Sequence, residues 1–224
     1  MEEIIYNFFN SRALYDSLPF LARGMIVTVQ LALVSLGFSL LVGLFVAVLR
    51  HRNFKVVNWF LIAYIDIFRA VPPVVLLMFV YYGLPFVGIQ LSAYLATVVS
   101  FSLYVGAYAA EILRSGIEAI PSGQIDAARS LGMSYAQMMR FVVLPQALRI
   151  AIPPLTSESM SLIKLTSVAF VVALPELLNM SRMAQSLTAN STPLVAAAAI
   201  YLIVLSILSR LIGVMEAHLR RRFP

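Results

Sequence analysis

The sequence predicts an all-α integral membrane protein with five transmembrane helices, and three observations carry that prediction. Of 224 residues, 61% are hydrophobic and 12% charged, with a mean hydropathy of +0.92; a water-soluble domain is about half apolar and about one quarter charged. So few charges cannot clothe a folded particle in water, whereas a bilayer calls for an apolar exterior. Uncharged runs long enough to cross a membrane recur along the chain. The 16 Lys and Arg gather in alternate connections, the pattern of cytoplasmic loops.

The same arithmetic excludes other classes. The 10 Gly and 11 Pro follow no period, which rules out a collagen-like repeat, and the apolar content rules out disorder. With no Cys there are no disulfides, thiolate nucleophiles or cysteine metal sites. A net charge of +6 and a pI near 9.8 fit cytoplasmic loops without invoking nucleic acid. Met1-Glu2-Glu3 stands where a signal peptide would need a basic segment, so none is expected.

In chain order, Tyr6, Phe8, Phe9 and Tyr15 suit a segment at the outer interface, or a frayed terminus. Ile26 to Leu49 gives 24 uncharged residues, enough for a first helix across a core of about 30 Å. The basic run Arg50-His51-Arg52-Asn53-Phe54-Lys55 then marks the cytoplasm and puts the N-terminus outside. The second span, about Val56 to Tyr82, meets Pro72-Pro73, where a kink or break is expected because neither proline donates to a helix ladder. Gly83 to Gly88 reads as an outer turn, and Leu91 to Ala110 as the third span. Glu111 to Arg149 is too polar to cross and holds Arg114, Arg129, Arg140 and Arg149, hence cytoplasmic. A fourth span follows from about Ile150 to Leu174, then an outer connection through Glu176 and Arg182, and a fifth span from about Leu194 to Ile212 before the cytoplasmic Arg220-Arg221-Arg222. Eleven Lys and Arg fall inside, three outside and two, Arg69 and Lys164, within spans. No internal repeat is visible, so a two-fold pathway needs a second subunit.

Within the cytoplasmic segment, Pro121-Ser122-Gly123 is a helix start, and Ile125, Ala127, Ala128 and Leu131 recur at helical spacing. Gly132 can take a positive φ, so a sharp turn is expected there before a second helix from about Ser134. Small Ala127 and Ala128 admit another backbone at close range. This segment resembles the loop of bacterial ABC importer permeases: EAA, three residues, Gly, nine residues, then I-x-L-P. It stands here as Asp126-Ala127-Ala128, Gly132 and Val142-Val143-Leu144-Pro145, with Asp for Glu and Val for Ile.

The likeness covers nearly the whole chain and is nearest the permeases for polar amino acids, the group serving histidine, glutamine, glutamate, arginine and opines. Arg23-Gly24, Phe68-Arg69-Ala70-Val71-Pro72, Ala109-Ala110-Glu111-Ile112-Leu113-Arg114-Ser115-Gly116 and Leu162-Ile163-Lys164-Leu165-Thr166-Ser167 carry it. Members commonly have an Asp where this chain has Leu165, which leans away from cationic substrates.

The resemblance implies one transmembrane domain over residues 1–224, with a coupling loop at about 117–145 that docks on an ATPase. Asp126, Ala127, Ala128, Gly132, Leu144 and Pro145 are its candidate coupling residues. It further implies a multi-pass protein of the bacterial inner membrane that imports a polar amino acid by alternating access. The partners would be a second permease subunit, identical or homologous, two ABC ATPase subunits and a periplasmic or lipid-anchored solute-binding protein. No G-x-x-x-x-G-K-[ST] occurs, so ATP and Mg belong to the partner ATPase, and this chain is expected to be neither an enzyme nor a cofactor carrier.

Charges within spans are costly and seldom lack a partner or water. Asp66 and Arg69, at i and i+3, can pair with each other, or Arg69 can meet a substrate carboxylate. Glu158 and Lys164 lie roughly 120° apart on a helix and must find partners elsewhere. Ser157, Ser161, Lys164 and Ser167 form a polar stripe. Arg69, Glu158, Ser161, Lys164, Thr166 and Ser167 are therefore candidate pathway residues, although interhelical hydrogen bonding in a dimer accounts for the stripe equally well. His51 and His218 lack metal-ligand spacing, and no catalytic arrangement stands out. An autonomous ion-coupled carrier or channel, with Glu158 and Lys164 as the ion site, is the rival reading; it leaves the spaced loop unexplained. An intramembrane enzyme is the third, and the lack of Cys and metal-ligand clusters argues against it.

Overall fold

A computed structural model describes residues 2–51 and 54–222. Arg52 and Asn53 of the first basic run lie outside it, as do the side chains of His51, His218 and Arg220 to Arg222. All regular elements among the described residues are helical: α1 (Glu2–Phe8), α2 (Ser11–His51), α3 (Lys55–Ala70), α4 (Pro73–Met78), α5 (Ala93–Glu118), α6 (Ser122–Ser130), α7 (Tyr135–Met138), α8 (Leu144–Leu165), α9 (Leu177–Thr188) and α10 (Thr192–Arg222). Four stretches are long and apolar enough to cross a membrane, and the pair Lys55–Ala70 and Pro73–Val87 makes a fifth if counted as one broken span.

That pair is bent by 106° at Pro72-Pro73. Val71 precedes a proline and is extended at φ −77°, ψ 130°, as steric pressure from the next ring demands, and Pro72 is extended too at φ −58°, ψ 135°. The first helix is longer than its uncharged run: α2 passes unbroken through Pro19 and carries Arg12, Asp16 and Arg23 with it. The fourth helix likewise begins at Leu144, and ends in a tight turn over Thr166–Val172. The connection after it holds a helix, α9, that its polar residues did not announce.

Two π-helical turns share one cause. Phe79–Gly83 precedes Leu84-Pro85, and Met139–Val143 precedes Leu144-Pro145. A proline ring clashes with the carbonyl four residues back and offers it no donor; one wider turn, with Leu84 N donating to Phe79 O and Leu144 N to Met139 O, relieves both.

The chain forms two compact units. In the first (Met1–Leu36, Pro72–Phe101, Met160–Gly213), Leu21, Leu177 and Ala197 are the buried centre of a cluster that includes Met25, Ile200 and Tyr201. Here the segment from Tyr6 to Asn10 is tied down. Asn190 donates to Tyr6 O at 2.7 Å, Ser191 N to Asn7 O at 2.9 Å, and Asn10 N to Thr192 Oγ1 at 2.9 Å. In the second (Gly37–Val71, Ser102–Ser159, Val214–Pro224), Val46, Ile65 and Ala110 form one buried cluster and Ala47, Leu113 and Ala151 another.

Candidate functional site

Residues 117–147 fold as a small hairpin with a core of its own. Ile120, Ala128, Met138, Val143 and Ala147 are buried together, flanked by Ile117, Ile125, Met133, Met139 and Val142. Pro121, extended at ψ 136°, starts α6. Gly132 ends it at φ 73°, with Met133 N donating to Ala128 O at 3.2 Å and Gly132 N to Arg129 O at 2.9 Å. Those two bonds satisfy carbonyls that a helix end otherwise strands, and the left-handed residue between them is why glycine stands there. Ser134 and Gln137 then cap α7 reciprocally: Ser134 N donates to Gln137 Oε1 at 2.9 Å, and Gln137 N to Ser134 Oγ at 3.4 Å.

The paired alanines take different sides. Ala128 is 3% exposed and fills the hairpin's own core, so its small size serves that packing and not an incoming backbone. Ala127 faces out with Asp126, which pairs loosely with Arg129 at 3.7 Å. Leu131, 78% exposed, Tyr135 and Phe141 are also uncovered. Leu144 and Pro145 are half-buried at the start of α8.

An ion-pair chain stands at the root of the hairpin. Glu111 accepts from Arg50 at 3.0 Å and from Arg114, which also pairs with Glu118. The Arg114 hydrogen bond, reinforced by Arg50, holds the Glu111 carboxyl below the usual carboxylate range despite its partial burial. Sequence reading missed this hub; Glu111, the first acid after the third span, was its only signal.

Arg69 does not pair with Asp66. Its guanidinium lies 5.1 Å from the centroid of the Tyr108 ring, whose hydroxyl donates to Arg69 O at 3.5 Å. Tyr104 packs on Tyr108 at 5.2 Å, and the half-buried Glu158 carboxylate lies within electrostatic reach of Tyr104. Ser161 and Lys164 are exposed on α8. Lys164 makes no ion pair with any described residue. Ser167 is half-buried and its hydroxyl donates to Lys164 O at 2.7 Å. Thr166, expected beside them, is fully buried and donates to Ile163 O at 2.6 Å. A tight turn begins there and carries the side chain inward.

Comparison with known proteins defines the class to which these helices and the hairpin belong. Residues 39–221 match the family of binding-protein-dependent transport system inner membrane components, and the chain belongs to that family. It is similar to the probable amino-acid ABC transporter permease protein YckA of Bacillus subtilis (strain 168), 41% identical over 76% of this chain and 75% of the relative. The probable glutamine ABC transporter permease protein GlnM of the same organism is 33% identical over 96% of this chain and 100% of its own. Among solved structures, an amino acid ABC transporter with histidines superposes with a TM-score of 0.85 at 33% identity, covering 89% of this chain and 94% of that one. The inward-facing MetNI methionine ABC transporter, at 21% identity, TM-score 0.75 and coverage of 90% and 97%, shares the fold. The chain is thus a multi-pass inner-membrane permease subunit of an ABC importer. None of these relatives is an ion-coupled carrier.

Proposed function

We propose that this subunit imports a polar amino acid by alternating access, with its N-terminus outside and residues 111–149 in the cytoplasm. The hairpin docks in a groove of an ATPase subunit, and closure of two such ATPases drives the change of access. Its crown of Asp126, Ala127, Leu131, Gly132 and Tyr135 is what the ATPase grips; Leu144 and Pro145 pass the motion into α8. A second permease, identical or homologous, completes the pathway, and a periplasmic or lipid-anchored binding protein delivers the cargo. ATP and Mg reside on the ATPase subunits. Arg69, Glu158, Ser161, Lys164 and Ser167 line the route, while Thr166 supports it from within. All 224 residues serve as a single transmembrane domain.

The observation that carries this reading is the hairpin itself: a unit with its own buried core that leaves apolar Leu131 and Tyr135 uncovered at its tip. A surface of that kind is stable without a partner and available to one. Gly132→Leu tests it. A side chain at φ 73° costs about 1–2 kcal/mol and reshapes the tip without touching a span. The variant should insert normally, lose ATP-driven uptake and lose co-purification of the ATPase; normal values of both would refute the assignment.

A further inference from the structure

The two helices that carry the hairpin, α5 and α8, approach closely at its root. A Cβ on Gly116 would sit 2.8 Å from Ala147 O, so only glycine permits this approach. Beside that contact is a cavity of about 390 Å³, walled by the last turns of α5 from Tyr108 to Gly116, by Ala119 just beyond it, by Ile150 and Pro154 of α8, and by Arg69. We propose that this cavity binds the carboxylate of the transported amino acid through the Arg69 guanidinium. The inference rests on the amino-acid importer reading and adds a site, its ligand group and its position between the stems of the hairpin.

Charge is the first argument. Among the described residues Glu111 is the only acid in the wall, and Arg50 and Arg114 already occupy it. Arg50 and Arg114 pair with Glu111 and Glu118, whereas Arg69 makes no ion pair with a described residue and rests on the Tyr108 ring. Asp66, three residues from Arg69, is exposed and does not line the cavity.

Preorganisation is the second. Tyr108 fixes the guanidinium from one face while its own hydroxyl is tied to Arg69 O. A cation stacked on a ring keeps its N–H fork in plane and available, the geometry that takes a carboxylate in two parallel bonds. Ile112, Ile150 and Pro154 make the rest of the wall largely apolar. The volume falls within the range of about 300–1,000 Å³ typical of small-molecule sites. An occupant held by Arg69 would touch α3 and both stems at once, joining cargo to the element that meets the ATPase.

The test uses the complete transporter in lipid nanodiscs and proteoliposomes. Uptake of the twenty radiolabelled amino acids, each tried singly with binding protein and ATP, identifies the cargo; if none is taken up, the importer reading itself fails. Equilibrium binding of that amino acid to the nucleotide-free complex, without binding protein, is then competed with its methyl ester. The wild type should prefer the free carboxylate about tenfold or more; Arg69→Gln should bind about tenfold more weakly and lose the preference, and Arg69→Lys should keep part of both. Unchanged affinity and preference in Arg69→Gln overturn the site. So does loss of bound anionic phospholipid in that variant with amino-acid binding intact, which would assign the guanidinium to a lipid phosphate. Should Arg69→Gln fail to assemble, Ser115→Cys decides: in this cysteine-free subunit its alkylation should slow under saturating cargo, and absence of protection overturns the proposal.

Discussion

The carboxyl of Glu176 is fully buried in the connection before the last long helix, and it makes no ion pair among the described residues. It accepts from Leu178 N and Asn179 N at 2.8 Å, which makes it the cap of α9, and from the Tyr201 hydroxyl at 3.4 Å. Desolvation outweighs these bonds and pushes it up to about 7. A folded value above the ordinary one means that the folded state holds this proton more tightly. The associated stability is complete below pH 4.5 and is lost as pH rises to about 7. Thermal unfolding in detergent should show it: Glu176→Gln keeps an acceptor for the cap, so its Tm should overtake that of the wild type as pH climbs through this window. Parallel curves would refute the burial argument. Lys164 is the opposite case, an exposed ammonium within a span and without an acid partner among the described residues. Lys164→Met keeps much of its length without the charge; uptake should fall about tenfold while the ATPase still co-purifies. Loss of the assembled complex instead would make the lysine an inter-subunit tie, and unchanged uptake kinetics would remove it from the route.

Among the elements, the π turn ahead of Pro145 sets the angle at which the hairpin meets α8. Pro145→Ala restores a donor for the Phe141 carbonyl and lets an ordinary helix run through, turning the hairpin by about 100°. Weaker ATPase co-purification with normal membrane insertion is the expected result; full co-purification would show that the turn does not aim the hairpin. Which elements the sequence disclosed follows from how local their causes are. Pro121 and Gly132 act within four residues, so the start of the hairpin and its turn were legible, while the Gln137 half of the second cap showed only in the structure. The Pro72-Pro73 break was legible for the same reason. Pro153-Pro154, the same dipeptide, lies inside an unbroken α8. No local rule separates the two cases. Helix α9 was hidden because its cap, Glu176, looks like any polar loop residue until Thr28 and Tyr201 close around it. The fate of Arg69 was equally non-local, since Tyr108 lies 39 residues away.

For the whole molecule, sidedness is the property most open to direct test. Ser122 is exposed at the start of α6, and the subunit has no other cysteine to confuse the result. Ser122→Cys should resist an impermeant thiol reagent in intact cells and react after lysis; labelling in intact cells would reverse the topology. The bonds that hold the N-terminus imply an order of events as well. Asn190 reaches back 184 residues to Tyr6, and Thr192 reaches back 182 to Asn10. During synthesis the first of these residues leaves the ribosome long before its partner exists, and every span but the last is made in between. The clasp therefore cannot close early, and a chain stalled before residue 190 lacks it altogether.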